Sequence, residues 1–360
     1  MTNKPYGVGI VGCGEIAQLT HIPIIAELPD LHLAALCDLS RTVMDTLGAQ
    51  YGVSALYADY ADLIADPAVD IVVICTFDHA PVIEAVLAAG KAFTVEKPLA
   101  FTAGEVRSLV ERAEAAGTTA LVGYMKLFDP GYVEGLAQLQ DVTGIKAVQV
   151  HNFAGRFDRY QELYTQVRGN DVDRAVIAKG LADVDARIED ALGASHAGYR
   201  DLYKTLLMLG SHNLAVMRGA FGVAEKVEFA KAIGPSHIYA LLRMPDNLDC
   251  TFEVAFGPQY EWWDEWIHVW GLNKELRIDF PNPYVRNHAA KVTLRHAVGI
   301  RPATTQIEGL PDTAFRQQWL HFIAVMKGKA ENRSPLRGGL ADLELAEEII
   351  KSLPDMSKAV

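Results

Sequence analysis

A chain of 360 residues is too long for one comfortable hydrophobic core and suits about two domains. Half of the residues are apolar, and a formal net charge of −12 without any Lys/Arg cluster argues against nucleic acid and anionic membranes as partners. No apolar run approaches the roughly 18–20 residues of a membrane helix, and because Met1–Pro5 goes straight into a strand-like segment no signal peptide is expected. Cys13, Cys37, Cys75 and Cys250 lack metal-ligand or redox spacing, so the expectation is a cytoplasmic protein with buried thiols, a small-molecule ligand and no metal.

Up to Val122 short β-rich runs alternate with helical stretches. Strands are expected at Tyr6–Val11, His32–Cys37, Asp70–Thr76, Ala92–Glu96 and Thr119–Val122, each near-continuously apolar and so buried on both faces. Ser40, Asp59 and Thr102 read as N-caps of helices ending at Gly52, Asp66-Pro67 and near Gly117. Such alternation implies right-handed βαβ units and a parallel sheet. A domain boundary is expected at 124/125.

From Tyr124 onward the pattern changes. Alternating strands are expected at Ile145–Phe153, Val227–Ile233, His237–Met244, Cys250–Phe256, Trp266–Trp270, Glu275–Phe280 and Lys291–Arg295, separated by turn residues such as Pro245-Asp246-Asn247 and Gly257-Pro258. They indicate an α+β domain over 125–360 with an open, largely antiparallel sheet. Helices near Tyr199–Arg218 and Thr313–Lys327 would cover one face, and Val, Ile, Trp and Phe on the other would form a subunit contact. The polar, helix-periodic stretch 156–195 reads as an inserted lid or interface arm.

Gly12-x-Gly14-x-x-Ala17 directly follows the first strand and opens a helix. Gly12 permits a tight turn, Gly14 lets a pyrophosphate approach the backbone, and the helix start offers amides and partial positive charge to phosphates. Asp38 ends the second strand about 20 residues further on, where a carboxylate holds adenosine ribose hydroxyls. The first domain is therefore expected to be a doubly wound Rossmann unit. Asp38 favours NAD because it would repel a 2′-phosphate, while Arg41 leaves NADP open.

Glu96-Lys97-Pro98 follows a strand at the carboxyl edge where ligands bind. Lys97 could hold a substrate hydroxyl there, or be a solvated partner of Glu96 before a turn proline. His79, after Thr76-Phe77-Asp78, reads either as a nicotinamide-pocket wall or as the first turn of a helix capped by Asp78. His212 lies in an apolar helix as a core residue or a catalyst. Lys126 is a surface lysine or a site residue. Tyr260-Glu261-Trp262-Trp263-Asp264-Glu265-Trp266 reads as packing, an interface or a sugar-stacking wall.

Together these features resemble the Gfo/Idh/MocA (glucose–fructose oxidoreductase, inositol dehydrogenase, rhizopine catabolism) family. The likeness runs through AGKAFTVEKPLA (Ala89–Ala100), GYMKLFDPGY (Gly123–Tyr132), LGSHNLAVMRGAFG (Leu209–Gly222) and GLNKELRIDFPNPY (Gly271–Tyr284). The resemblance implies hydride transfer between NAD or NADP and a secondary alcohol of a sugar, cyclitol or glycoside. It implies a homodimer or homotetramer joined through the second sheet, and a peptide bond after Lys97 that is often cis. It assigns Gly12, Gly14, Glu15, Ile16, Asp38, Arg41, Thr76, Phe77, His79, Glu96 and Lys97 to the cofactor. Lys97, Lys126, His212 and Asn213 fall to the substrate, with Lys97 and His212 catalytic. Two departures stand out. The Asp that many members carry four residues before the histidine is here Met208, with Asp201, Tyr203 or His196 as substitutes, and the usual Thr-Pro-Asn turn is Thr76-Phe77-Asp78. Alternative readings are an NAD-dependent glycosidase working by transient oxidation and elimination, and a non-catalytic NAD-binding sensor.

Overall fold

The computed structural model describes residues 4–155, 164–257 and 261–356. It comprises two compact units: Met1–Gly123 with Leu163–Arg187 and Trp319–Leu340, and Tyr124–Glu162 with Ile188–Gln318 and Ala341–Val360.

The first unit is built on a six-stranded parallel sheet. In chain order it contains β1 (Tyr6–Val11), a π-helical turn (Ala17–His21), α1 (Ile22–Glu27), β2 (Leu31–Cys37), α2 (Arg41–Tyr51), β3 (Ala55–Tyr57) and α3 (Tyr60–Ala65). Then follow β4 (Ile71–Ile74), α4 (Ala80–Ala88), β5 (Ala92–Val95), α5 (Ala103–Ala115) and β6 (Ala120–Val122). The spatial order β3-β2-β1-β4-β5-β6 reverses direction at β1, which places a ligand crevice at the carboxyl ends of β1 and β4. β1, β4 and β5 are almost wholly buried. All three expected caps form. Ser40 accepts from Val43 N, Asp59 from Ala61 N, and Thr102 makes a reciprocal capping box with Glu105. The short strand β3 was not foreseen. Segment 319–340 groups with this unit instead of following a linear boundary, and it covers the edge strand. Val122 N donates to Ser334 O, Ser334 Oγ donates to Val122 O, and Asn332 donates to Ala120 O.

The second unit begins with α6 (Pro130–Leu139) and β7 (Ala147–Ala154). After α7 (Arg174–Leu192), which starts in the first unit, come α8 (Arg200–Thr205), a π-helical turn (Leu206–Gly210) and α9 (Ser211–Phe221). Strands β8 (Lys226–Ala232), β9 (His237–Met244), β10 (Leu248–Phe256), β11 (Trp263–Trp270), β12 (Lys274–Asp279), β13 (Lys291–Val298) and β14 (Arg301–Glu308) complete the sheet. Helices α10 (Ala314–Met326) and α11 (Leu336–Lys351) close the chain. The eight-stranded order is β14-β13-β12-β11-β7-β10-β9-β8, antiparallel throughout except for the parallel β7–β10 pair.

Three expectations are corrected here. The helical stretch expected near Tyr199–Arg218 runs from Arg200 to Phe221, and its irregularity is a π turn at Leu206–Gly210, ahead of the expected break at Gly210–Asn213. β14 was missed because its sequence is polar and mostly exposed; it forms by pairing with β13. The sheet face opposite the buried one does not carry Val and Ile. Period-two alternation sends Val148, Val150, Ile267 and Val269 inward, and leaves His151, Phe153, Trp266, His268 and Trp270 on the other face. Of the inserted stretch 156–195, residues 156–163 lie outside the described residues, and 174–192 form α7. Tyr260 of the aromatic run and Pro258 of an expected turn also lie outside them.

Candidate functional sites

The fingerprint turn is shaped by close approach. Gly12 has φ +91°, and a Cβ there would lie 2.6 Å from Cys75 O at the end of β4, so neither conformation nor space tolerates a side chain. Gly14 is different: a Cβ would meet nothing within 4 Å, so the absence of a side chain keeps an open cradle at the helix start. That cradle fits a pyrophosphate. Asp38 directly follows β2 and ties the loop together, its two oxygens accepting from Cys13 N at 2.7 Å and Ser40 N at 2.8 Å. Arg41 pairs with Asp45 one turn along α2 at 2.8 Å. Glu15 and Ile16 are partly exposed at the start of the helix.

A Gly14→Val variant should lose NAD affinity by at least about 100-fold, or ~2.7 kcal/mol, because its side chain enters the cradle. Its melting temperature should stay within a few degrees of the parent's, since nothing in the fold is displaced. Titration calorimetry beside thermal unfolding checks this, and unimpaired NAD binding would refute the cradle.

Glu96, at the end of β5, is buried, and an unforeseen residue holds it. Trp319 Nε1 donates to His21 Nδ1 at 3.0 Å, and His21 Nε2 lies 2.9 Å from Glu96 Oε1. An indole N–H only donates, so Nδ1 must accept and the proton on Nε2 points to the carboxylate. Burial pushes the Glu96 carboxyl up, but the His21 hydrogen bond and the neighbouring Lys97 outweigh it and hold it below its usual range. Gly123 makes the room: a Cβ there would lie 2.8 Å from Glu96 Oε1. Glu96 Oε2 accepts from Lys97 N at 3.2 Å, and the Lys97-Pro98 peptide is cis. Lys97 is thereby presented, half-buried, from the carboxyl edge of the sheet. His21 gave no sequence signal beyond being a histidine near the fingerprint, because its partners lie 75 and 298 residues away.

His79, not Asp78, is the N-cap residue of α4. Its buried ring uses Nδ1 to reach Pro98 O at 2.8 Å, bracing the Glu-Lys-Pro turn, and burial lowers its pKa. Asp78 instead pairs with Arg187 of α7 at 2.6 Å. Thr76 Oγ1 donates to Asp78 O, and Phe77 is half-exposed against Phe101.

In the second unit Lys126 is buried, so its reading as a surface lysine is wrong. It pairs with Glu265 of β11, its ammonium 5.1 Å from the Trp263 ring centre and 5.7 Å from that of Phe280. Burial drives the ammonium below its usual range while Glu265 pulls it back. Glu265 also accepts from Asn213 Nδ2 at 2.9 Å and Trp263 Nε1 at 3.0 Å, and Asn213 Oδ1 accepts from Asn152 at 2.8 Å. Glu265, missed from sequence, is thus the hub of a buried polar network. Its signal was the alternation inside the aromatic run, which turns Trp263 and Glu265 to one face and Trp266 to the other. Lys126 also lines a small pocket with Met125, Asp129, Phe280, Pro281 and His288.

His212 stands in the first turn of α9, buried, with its ring edge-on to Tyr124 at 6.2 Å. Met208 is half-exposed and does not share its face. Met208 lies inside the π turn, whose wider winding shifts the register, so four residues no longer make one turn. Of the residues considered as substitutes, Asp201 pairs with Arg200, His196 Nε2 reaches Leu353 O, and Tyr203 is fully buried. Burial pushes the Cys37 and Cys250 thiols up to about 12 and raises those of Cys13 and Cys75. Among the described residues no group of His, Cys, Asp and Glu could hold a metal ion, and no helix is long and apolar enough to cross a membrane.

The family model described as "Oxidoreductase family, NAD-binding Rossmann fold" (GFO_IDH_MocA) matches residues 6–124. Inositol 2-dehydrogenase of Rhizobium meliloti is 31% identical over 273 residues, 70% of this chain and 79% of that protein. Inositol 2-dehydrogenase of Paracoccus denitrificans is 36% identical over 141 residues, 38% of this chain; the match spans 42% of that relative's length, less than half of it. The solved structure of aldose-aldose oxidoreductase from Caulobacter crescentus, complexed with glycerol, superposes with a TM-score of 0.71 at 22% identity over 97% of both chains, a likeness of fold.

Proposed function

Because the chain belongs to the Gfo/Idh/MocA oxidoreductase family, we propose that it is an NAD-dependent dehydrogenase acting on a secondary alcohol of a sugar, cyclitol or glycoside. The observation that carries the reading is Lys97. It leaves the carboxyl end of β5 beside a carboxylate that His21 and Trp319 hold in place.

Gly12, Gly14, Glu15 and Ile16 would hold the pyrophosphate and Asp38 the adenosine ribose. Thr76, Phe77, His79 and Glu96 would border the nicotinamide. Bound there, NAD supplies a hydride acceptor. The Lys97 ammonium holds the reacting hydroxyl by a charge-assisted hydrogen bond and fixes which oxygen loses its proton. His212 receives that proton, Lys126 contributes positive charge toward the substrate's hydroxyls, and Asn213 keeps the His212 helix seated on β11 through Glu265. The aromatic and histidine-rich outer face of the second sheet is the subunit contact in this reading.

The test is NADH formation from NAD with inositols, aldoses and glycosides in turn, with product analysis. Steady NADH production with a polyol is expected. Cleavage of a glycoside without net NADH would replace this reading with the elimination mechanism, and no turnover of any polyol in either direction would refute it.

A further inference from the structure

Choice between NAD and NADP turns on what meets the 2′ position of the adenosine ribose. A carboxylate ending the second strand suits a hydroxyl, and a nearby cation or cluster of donors suits a phosphate. Here Asp38 directly follows β2, and Leu39-Ser40 leads into α2, which begins at Arg41. The groups an added phosphate would use are the Ser40 hydroxyl, the Thr42 amide and the Arg41 guanidinium. Carboxylates of the chain itself engage all three. Ser40 Oγ donates to Asp171 Oδ1 at 2.5 Å, and Thr42 N donates to Asp171 Oδ2 at 3.0 Å. Arg41 is paired with Asp45.

Asp171 arrives from 131 residues along the chain, on a strap anchored at a second point. Gln18, just past the fingerprint, donates to Val167 O at 3.0 Å and accepts from Val167 N at 2.8 Å. The strap lies so close to Ser40 that a Cβ at Gly169 would fall 1.9 Å from its hydroxyl oxygen. The two donors hold the Asp171 carboxyl down to about 2, so it is ionised across the working range.

We propose that Asp171 is a cofactor-selecting residue: its carboxylate takes, from within the chain, the anion position at the start of α2 that the 2′-phosphate of NADP requires. A phosphate arriving there meets two acidic side chains, Asp38 and Asp171, and donors that are already used. The adenosine ribose of NAD carries only a hydroxyl at that position. This rests on the proposed NAD site.

Dissociation constants for NAD and NADP, measured by titration calorimetry on the full chain and on Asp171→Ala and Asp171→Asn, test it. The parent should bind NAD at least about tenfold tighter than NADP, and Asp171→Ala should shift the ratio of the two constants toward NADP by at least about tenfold. Asp171→Asn keeps the shape and an acceptor but loses the charge, so it should give a smaller shift in the same direction, and it serves if the alanine variant does not fold. A ratio unchanged in both variants, with both dinucleotides still binding, would overturn the role of Asp171 and leave the NAD site standing. So would equal weakening of both ligands, the result of a purely structural strap. A parent that binds neither dinucleotide would overturn the site itself.

Discussion

Lys97→Ala should lower turnover by about 10²–10⁴-fold, the worth of a positioned group acting on a proton in the transition state, while NAD still binds. The expectation rests on where the side chain sits. Lys97 lies beyond the last residue of β5, so truncation leaves the strand, its pairing with β4 and β6, and the Trp319–His21–Glu96 chain in place. The loss should therefore appear in kcat, with little change in melting temperature and less than about a threefold change in NAD affinity. Lys97→Arg should recover only part of the activity, because a planar, fork-shaped guanidinium does not occupy the place of a compact ammonium. If alanine left turnover within about threefold of the parent, the assignment of Lys97 to the reacting hydroxyl would fail.

Glu265→Ala should cost about 3–5 kcal/mol of stability, because it leaves the buried Lys126 charge without its counter-ion. Asn213 and Trp263 also lose their shared acceptor. In a unit of this size that corresponds to a fall in melting temperature of roughly 6–20 °C, read by calorimetry. Lys126→Met combined with Glu265→Leu should be the less damaging change, since removing both charges leaves no uncompensated ion. A cost below about 1 kcal/mol for Glu265→Ala would show that the Lys126 site is reached by solvent and that the network is not a structural hub.

Much of the first unit is legible residue by residue. Ser40, Asp59 and Thr102 cap the helices they were expected to cap, and the β1 boundaries coincide with the apolar run. In the second unit β9 was equally legible from its alternation. Caps and alternation are read from neighbours a few residues apart, which is why one chain suffices. β14 escaped for the converse reason: its polar residues become a strand only because β13 offers hydrogen bonds, and pairing is not written in a strand's own period. The two π turns escaped too. The second of them contains Met208, just before His212, and removes the force of comparing those positions by helical spacing.

The sequence by itself determined that a Gly12-x-Gly14 turn follows a buried strand, that Asp38 ends the next, and that Lys97 follows a third. Those facts place a dinucleotide-binding edge without any coordinates. Only the tertiary structure decided which side chains support that edge. His21 and Trp319 are 298 residues apart, and Asp171 meets Ser40 across 131 residues. The second unit holds a distant pairing of its own, Lys126 with Glu265 across 139 residues. Local propensity specifies where a helix begins. It carries no information about which distant carboxylate will lie against it, because that choice is settled by packing and by the cost of leaving a buried charge or donor unpaired.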